Sequence, residues 1–160
     1  MLKNKYRRNV GIVLINDQGR IWVGDTILSK TSTLHQTYHY QMPQGGIEAG
    51  ESPLDAVFRE LYEETGLFPK DVEVIKESAH WYRYDFPAWL LELKPQRYKG
   101  QRQKWFLLRF TGQESAFKLD VEDPHEFSDY AWFEGAKVVD SIIPFKKKVY
   151  QKVLKEFGLL

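Results

Sequence analysis

The most constraining feature of this 160-residue chain is the run from Gly45 to Leu67, GGIEAGESPLDAVFRELYEETGL. It reads as loop, helix, stop. Ser52 is a good N-cap, Pro53 suits the first helical position, and Asp55 completes a Ser-x-x-Asp capping pattern. Gly66 can take the left-handed conformation that closes a helix. These signals predict a helix over 53–65, with Leu54, Val57, Phe58 and Leu61 at the i, i+3, i+4, i+7 spacing of a core face. Glu60, Glu63 and Glu64 fall at i, i+3 and i+4, so they share another stripe of the same helix. Three crowded carboxylates repel one another unless a positive charge neutralises them. Hard divalent cations take oxygen ligands, and Mg2+ in particular binds through a few carboxylates, waters and substrate phosphates. Three glutamates alone would be read as a solvated acidic face, as helix surfaces commonly are. The joint placement of Gly45, Glu51, Arg59, Gly66 and the cap argues for a site instead.

The spacing of Gly45, Glu51, Arg59-Glu60-Leu61, Glu63-Glu64 and Gly66-Leu67 resembles the Nudix box, so the chain is similar to a Nudix hydrolase. The resemblance implies an α/β fold, an α/β/α sandwich around a mixed β-sheet, as one domain over residues 1–160. It implies hydrolysis of a phosphoanhydride with Mg2+, for which Mn2+ or another divalent cation could substitute. It assigns metal binding to Gly45, Glu60, Glu63, Glu64 and Glu126. It assigns catalytic roles to Arg59, Glu63, Glu64 and Glu126, with Arg59 pairing to Glu51 and orienting the glutamates.

Other segments narrow the resemblance. Tyr6-Arg7-Arg8-Asn9-Val10-Gly11 is similar to the YRPNVG start of bacterial RNA pyrophosphohydrolases and dinucleoside polyphosphate hydrolases, with Arg8 in the place of proline. Pro43-Gln44-Gly45-Gly46, the Trp81, Arg83, Tyr84 and Pro87 set, and Gly100 to Leu108 resemble segments of the same two groups. By that resemblance Arg7 contacts phosphate, and Phe145 and Lys146 stack on a base and contact the nucleotide. From the residues themselves, Tyr82, Tyr84 or Trp81 could stack on a base, and Gln103 and Lys104, at the start of a strand, are candidates to face the cleft, Lys104 as a phosphate ligand. The implied substrate is a 5′-triphosphorylated RNA end with unpaired first nucleotides, converted to a monophosphate at the start of mRNA decay. The alternatives are a diadenosine polyphosphate hydrolase and a non-catalytic nucleotide or RNA sensor. A sensor should have lost box glutamates, and all three are present.

Composition adds boundaries. There is no cysteine, which excludes disulfides and thiolate metal sites. A net charge of +1 names no partner by itself. No long apolar run suggests a leader or a membrane span, so a cytoplasmic protein with no membrane partner is expected, either monomer or homodimer. Val10 to Ile15 is a central-strand candidate, with a hairpin turn at Asn16-Asp17-Gln18-Gly19 and a return strand from Ile21 to Gly24. Residues 25–38 read as a loop, and Lys30 or His35 within it, or His39 just after it, could supply a phosphate contact. Strands are expected over 71–77, 105–110 and 129–133, and a final helix over 141–160 starting at Pro144.

Overall fold

The computed structural model describes residues 5–27 and 37–160. Strand β1 (Tyr6–Ile15) is the axis of the fold, and its residues from Asn9 to Ile15 are all buried. A strand covered on both faces reads as a continuous apolar run rather than an alternating one, which is what Val10 to Ile15 shows. β1 pairs in parallel with β7 (Gly100–Phe110) over ten residues, from Tyr6↔Gly100 to Ile15↔Arg109. The other pairings are antiparallel. β2 (Ile21–Thr26) and β4 (Gln44–Gly46) lie against β1, β3 (Tyr40–Gln41) and β8 (Phe127–Phe133) against β2, and β5 (Val72–Glu77) and β6 (Tyr82–Asp85) against β7. The sheet is therefore mixed, with β1 and β7 at its centre.

Helices cover both faces. Helix α1 (Pro53–Thr65) packs Ala56, Val57 and Leu61 against Val10, Ile12 and Leu14 of β1 and Phe106 and Leu108 of β7. The intervening side chains, Val13, Ile15, Trp105 and Leu107, meet Val149, Tyr150 and Val153 on the opposite side. Alternation along a strand thus divides the core into two layers, and the α/β/α sandwich expected from the sequence is the observed architecture.

The α1 boundaries are as expected. Ser52 Oγ accepts from the Asp55 N–H at 3.1 Å, and Gly66 closes the helix at φ 78°. Leu54, assigned to the core face, is instead 38% exposed in the first turn of the helix. The C-terminal region differs more. A separate helix α3 (Gly135–Ser141) precedes a 3-10 turn at Pro144–Lys146, and the last helix α4 runs over Lys147–Glu156. Continuous helix through Ile143 is disfavoured because a residue before proline is pushed from the α region, and Ile143 is at φ −54°, ψ 135°. A short helix α2 (Ala88–Leu93) follows β6 and was not expected. β7 starts at Gly100 and β8 at Phe127, both earlier than read. Of the loop expected over 25–38, Asp25 and Thr26 belong to β2, while Lys30 and His35 lie outside the described residues. No helix among the described residues is long and apolar enough to cross a membrane.

Candidate active site

Arg59 organises the acidic cluster. Its Nε donates to Glu51 Oε2 at 2.8 Å and its Nη2 to Glu51 Oε1 at 2.9 Å. Nη2 also donates to the Gly46 carbonyl at 2.7 Å, and Nη1 to Glu60 at 2.7 Å and Glu63 at 3.3 Å. All five guanidinium donors therefore have acceptors. One side chain ties the entry loop, through Gly46 and Glu51, to the carboxylates of α1. The Arg59 hydrogen bonds hold Glu51 down to about 2.

The remaining carboxylates are under-neutralised. Burial pushes Glu60 up to about 7, with Arg59 opposing and Glu63 adding to the rise. Glu63 is raised by burial and by Glu122. Glu64, 7% exposed, is raised well above the carboxylate range by burial, then by Glu126 and Glu60, and its Oε2 is buried without a hydrogen-bond partner among the described residues. A buried carboxylate oxygen with no donor costs free energy unless a cation meets it. The backbone leaves space beside these groups, since a Cβ on Gly45 would lie 1.9 Å from the Glu60 carboxyl carbon. Among the described residues, no three acidic or histidine side chains close into a ready-made cage; Arg59 draws Glu60 and Glu63 towards itself. An all-oxygen donor set of few carboxylates, open to water and phosphate, nonetheless suits Mg2+. The residues fit a divalent cation.

A cavity of about 270 Å3 opens beside the cluster, lined among others by Arg7, Gln44, Gly45, Glu126, Phe145 and Lys146. Lys146 is 9% exposed, and burial lowers its ammonium to about 8 against the pull of Glu126 and Glu64. Its Nζ donates to Gln44 Oε1 at 3.4 Å. Phe145 sits between Tyr84, with ring centroids 5.7 Å apart, and Trp89 of α2, 6.1 Å away. Glu126 is exposed at the cavity edge and accepts from Gln41 Nε2 at 3.4 Å.

Of the residues singled out from sequence, the structure brings Arg7, Gly45, Glu126, Phe145 and Lys146 around one cavity beside Glu60, Glu63, Glu64 and Arg59. Three others stand elsewhere. Gln103 is fully buried behind the cavity wall, where its Nε2 donates to Asn9 and Gln44 and its Oε1 accepts from Trp105 Nε1. Tyr82 donates its hydroxyl proton to Glu156 at 2.5 Å, tying β6 to the end of α4. Lys104 is on the opposite face of the sheet, 5.8 Å from the Trp81 ring. Tyr84, another of the rings weighed for base stacking, does line the cavity, as do Phe86, Leu90 and Gln101, which were not singled out. Tyr84 and Gln101 share the strand parity of Gln103 through the register Tyr84↔Gln101 and Tyr82↔Gln103, a signal that needs the pairing as well as the sequence. His39 pairs with Asp25 at 2.7 Å, outside the residues lining the cavity.

The chain's residues 5–153 match the family model described as the NUDIX domain. It is 46% identical to an RNA pyrophosphohydrolase of Novosphingobium aromaticivorans, over 95% of this chain and 92% of that one. It is 43% identical to an RNA pyrophosphohydrolase of Bartonella henselae, over 95% and 90%. Among solved structures it resembles the dihydroneopterin triphosphate pyrophosphohydrolase of E. coli, at TM-score 0.68, 15% identity and coverage of 93% and 97%. It also resembles a C. elegans Ap4A hydrolase binary complex, at TM-score 0.63, 15% identity and coverage of 94% and 98%. At those identities the two structures speak to the fold alone.

Proposed function

The chain belongs to the NUDIX family, and from that premise we propose that it is an RNA pyrophosphohydrolase, converting a 5′-triphosphate RNA end and water into a 5′-monophosphate end and pyrophosphate. The observation that carries the reading is the 46% identity, over nearly the full length of both chains, to a relative named for that activity. The arrangement of the cavity supports it, because Arg7, Lys146 and Glu126 line one space open to solvent beside the glutamates of α1.

Glu60, Glu63, Glu64 and Glu126, with the Gly45 backbone, would hold Mg2+. Bound there, the cation would shield phosphate charge and acidify a water for attack on phosphorus. Arg59 keeps Glu60 and Glu63 oriented. Arg7 and Lys146 balance the charge of the phosphate chain, and Lys146 is held in place by Gln44. Phe145, braced by Tyr84 and Trp89, offers its ring to the first base. Stacking without base-edge contacts tolerates most sequences, and it requires the first nucleotides to be unpaired.

The test is hydrolysis with Mg2+ of a short RNA bearing a 5′-triphosphate and an unpaired end, beside diadenosine tetraphosphate. Faster conversion of the RNA is the expected result. Faster cleavage of the dinucleotide would move the substrate while leaving the site, and hydrolysis of neither would point to a sensor.

A further inference from the structure

The sheet face that carries α1 continues past the helix as an exposed surface near the start of β1. Strand parity places Tyr6 and Arg8 of β1, Arg83 of β6, and Arg102 and Lys104 of β7 there, through the register Arg8↔Arg102, Val10↔Lys104 and Arg83↔Arg102. Trp81 lies at its centre. The Arg8 and Arg102 guanidinium carbons stand 5.2 and 4.6 Å from its ring centroid, and Lys104 Nζ stands 5.8 Å from it. Beside it, Arg83 and Lys99 stand 5.1 and 5.5 Å from the Tyr6 ring centroid.

These five cations are scarcely neutralised. Only Lys99 has a carboxylate within 4 Å among the described residues, Asp85 at 3.6 Å. Asp85 also accepts from the Tyr6 hydroxyl at 2.5 Å. Arg8, Arg83 and Arg102 are exposed and make no ion pair among the described residues. In a chain of net charge +1 this is segregation of charge rather than excess. Stacking on aromatic rings fixes guanidinium groups without consuming their hydrogen-bond donors. A single small anion would engage one or two of these cations, whereas a chain of phosphates can engage several of them at once. The patch is also adjacent to the cavity in sequence: Arg7 lines the cavity and Arg8 turns to the other face. Arg8 is moreover a residue at which the chain departs from the proline of the resembled pattern.

We propose that this face is a second RNA-binding surface, which holds the phosphates of the single-stranded chain downstream of the 5′ end. Trp81 and Tyr6 position the cations, and Arg8, Arg102 and Lys104 carry most of the contact. The proposal rests on the reading that the substrate is RNA, and its test separates the two.

Binding of 5′-monophosphorylated RNAs of three and about 20 nucleotides, the longer exceeding the usual single-strand site size, is compared across salt concentrations. The full chain is expected to bind the longer RNA at least about tenfold tighter, because more phosphates are neutralised. R8Q/R102Q should lose most of that gain and lower the salt slope by about 1.4, at about 0.7 per phosphate contact, while R8K/R102K keeps the slope. Turnover of a triphosphorylated trinucleotide should be unchanged in R8Q/R102Q, which also reports that the variant is folded. Equal affinity for both lengths, or an unchanged slope in R8Q/R102Q, overturns the proposal. So does loss of binding to phosphatidylserine vesicles in R8Q/R102Q with RNA binding intact, which would assign the face to a membrane surface. If the longer RNA binds through these arginines but no RNA triphosphate is hydrolysed, the surface stands and the proposed activity falls.

Discussion

Glu64 is a side chain that is poor for stability and that the proposed metal site would explain. Its carboxylate is buried, raised by its neighbours, and left with one oxygen unpartnered. Glu64→Gln removes the charge and keeps the shape. Turnover should fall by more than about a hundredfold, since loss of an outer-shell partner alone costs 10–100-fold, while Tm should stay level or rise because an uncompensated buried acid is gone. Near-normal turnover would end its proposed ligand role. Phe145→Ala separates stacking from packing in the same way. A ring that holds a base should raise KM with little change in Tm, whereas a fall in Tm alone would make it part of the core with Tyr84 and Trp89. At this scale the sequence was legible wherever one helix sufficed, because helical spacing alone places Glu60, Glu63 and Glu64 together. It was misleading at Gln103 and Lys104. These neighbours on β7 face opposite sides of the sheet, one buried behind the cavity and the other over Trp81. Which side holds the cavity depends on pairing with β1 and β6, which no local pattern specifies.

Among the elements, α1 bears the glutamates, so its ends set where they stand. Ser52→Ala removes the acceptor for the Asp55 N–H and should cost about 1 kcal/mol, or roughly 2–4 °C in Tm for a chain of this size. Gly66→Ala should cost more. The backbone there is at φ 78°, and a Cβ would meet the Lys118 carbonyl oxygen at 2.7 Å. That segment is also fixed by the Lys118 N–H donating to the Thr65 carbonyl, so the strand-side loop has to shift too. A thermal melt of both variants checks the order, and Gly66→Ala melting with the parent chain would refute it. Both ends of α1 were readable from Ser52, Pro53 and Gly66 because capping is local chemistry. The C-terminal helices were not, since Ile142 and Ile143 read as helix-compatible apolar residues. Their extended conformation follows from the proline after them and from burial against the sheet.

Across the whole molecule, the cluster makes stability depend on pH in two opposite limbs. Glu51 is held down to about 2 against an ordinary 4.5, so the unfolded chain binds the extra proton between those values. Stability from Glu51 therefore rises with pH from about 2 to 4.5 and is fully present above it. Glu60 is pushed up to about 7, so between 4.5 and 7 the folded chain binds the extra proton. Its contribution is present below 4.5 and is lost as pH rises through 7, with Glu64 acting in the same direction. A bound divalent cation prefers the ionised carboxylates, so it should release protons on binding and cancel the second limb. In a chelator, Tm should fall by several degrees between pH 5 and 7.5, on the order of 1–3 kcal/mol. Added Mg2+ should restore it at pH 7.5 and do little at pH 5. Glu60→Gln should flatten the chelator curve over that interval, because the amide cannot titrate. Parallel curves for the parent chain and Glu60→Gln would show that burial of Glu60 is not what couples the acidic cluster to the metal.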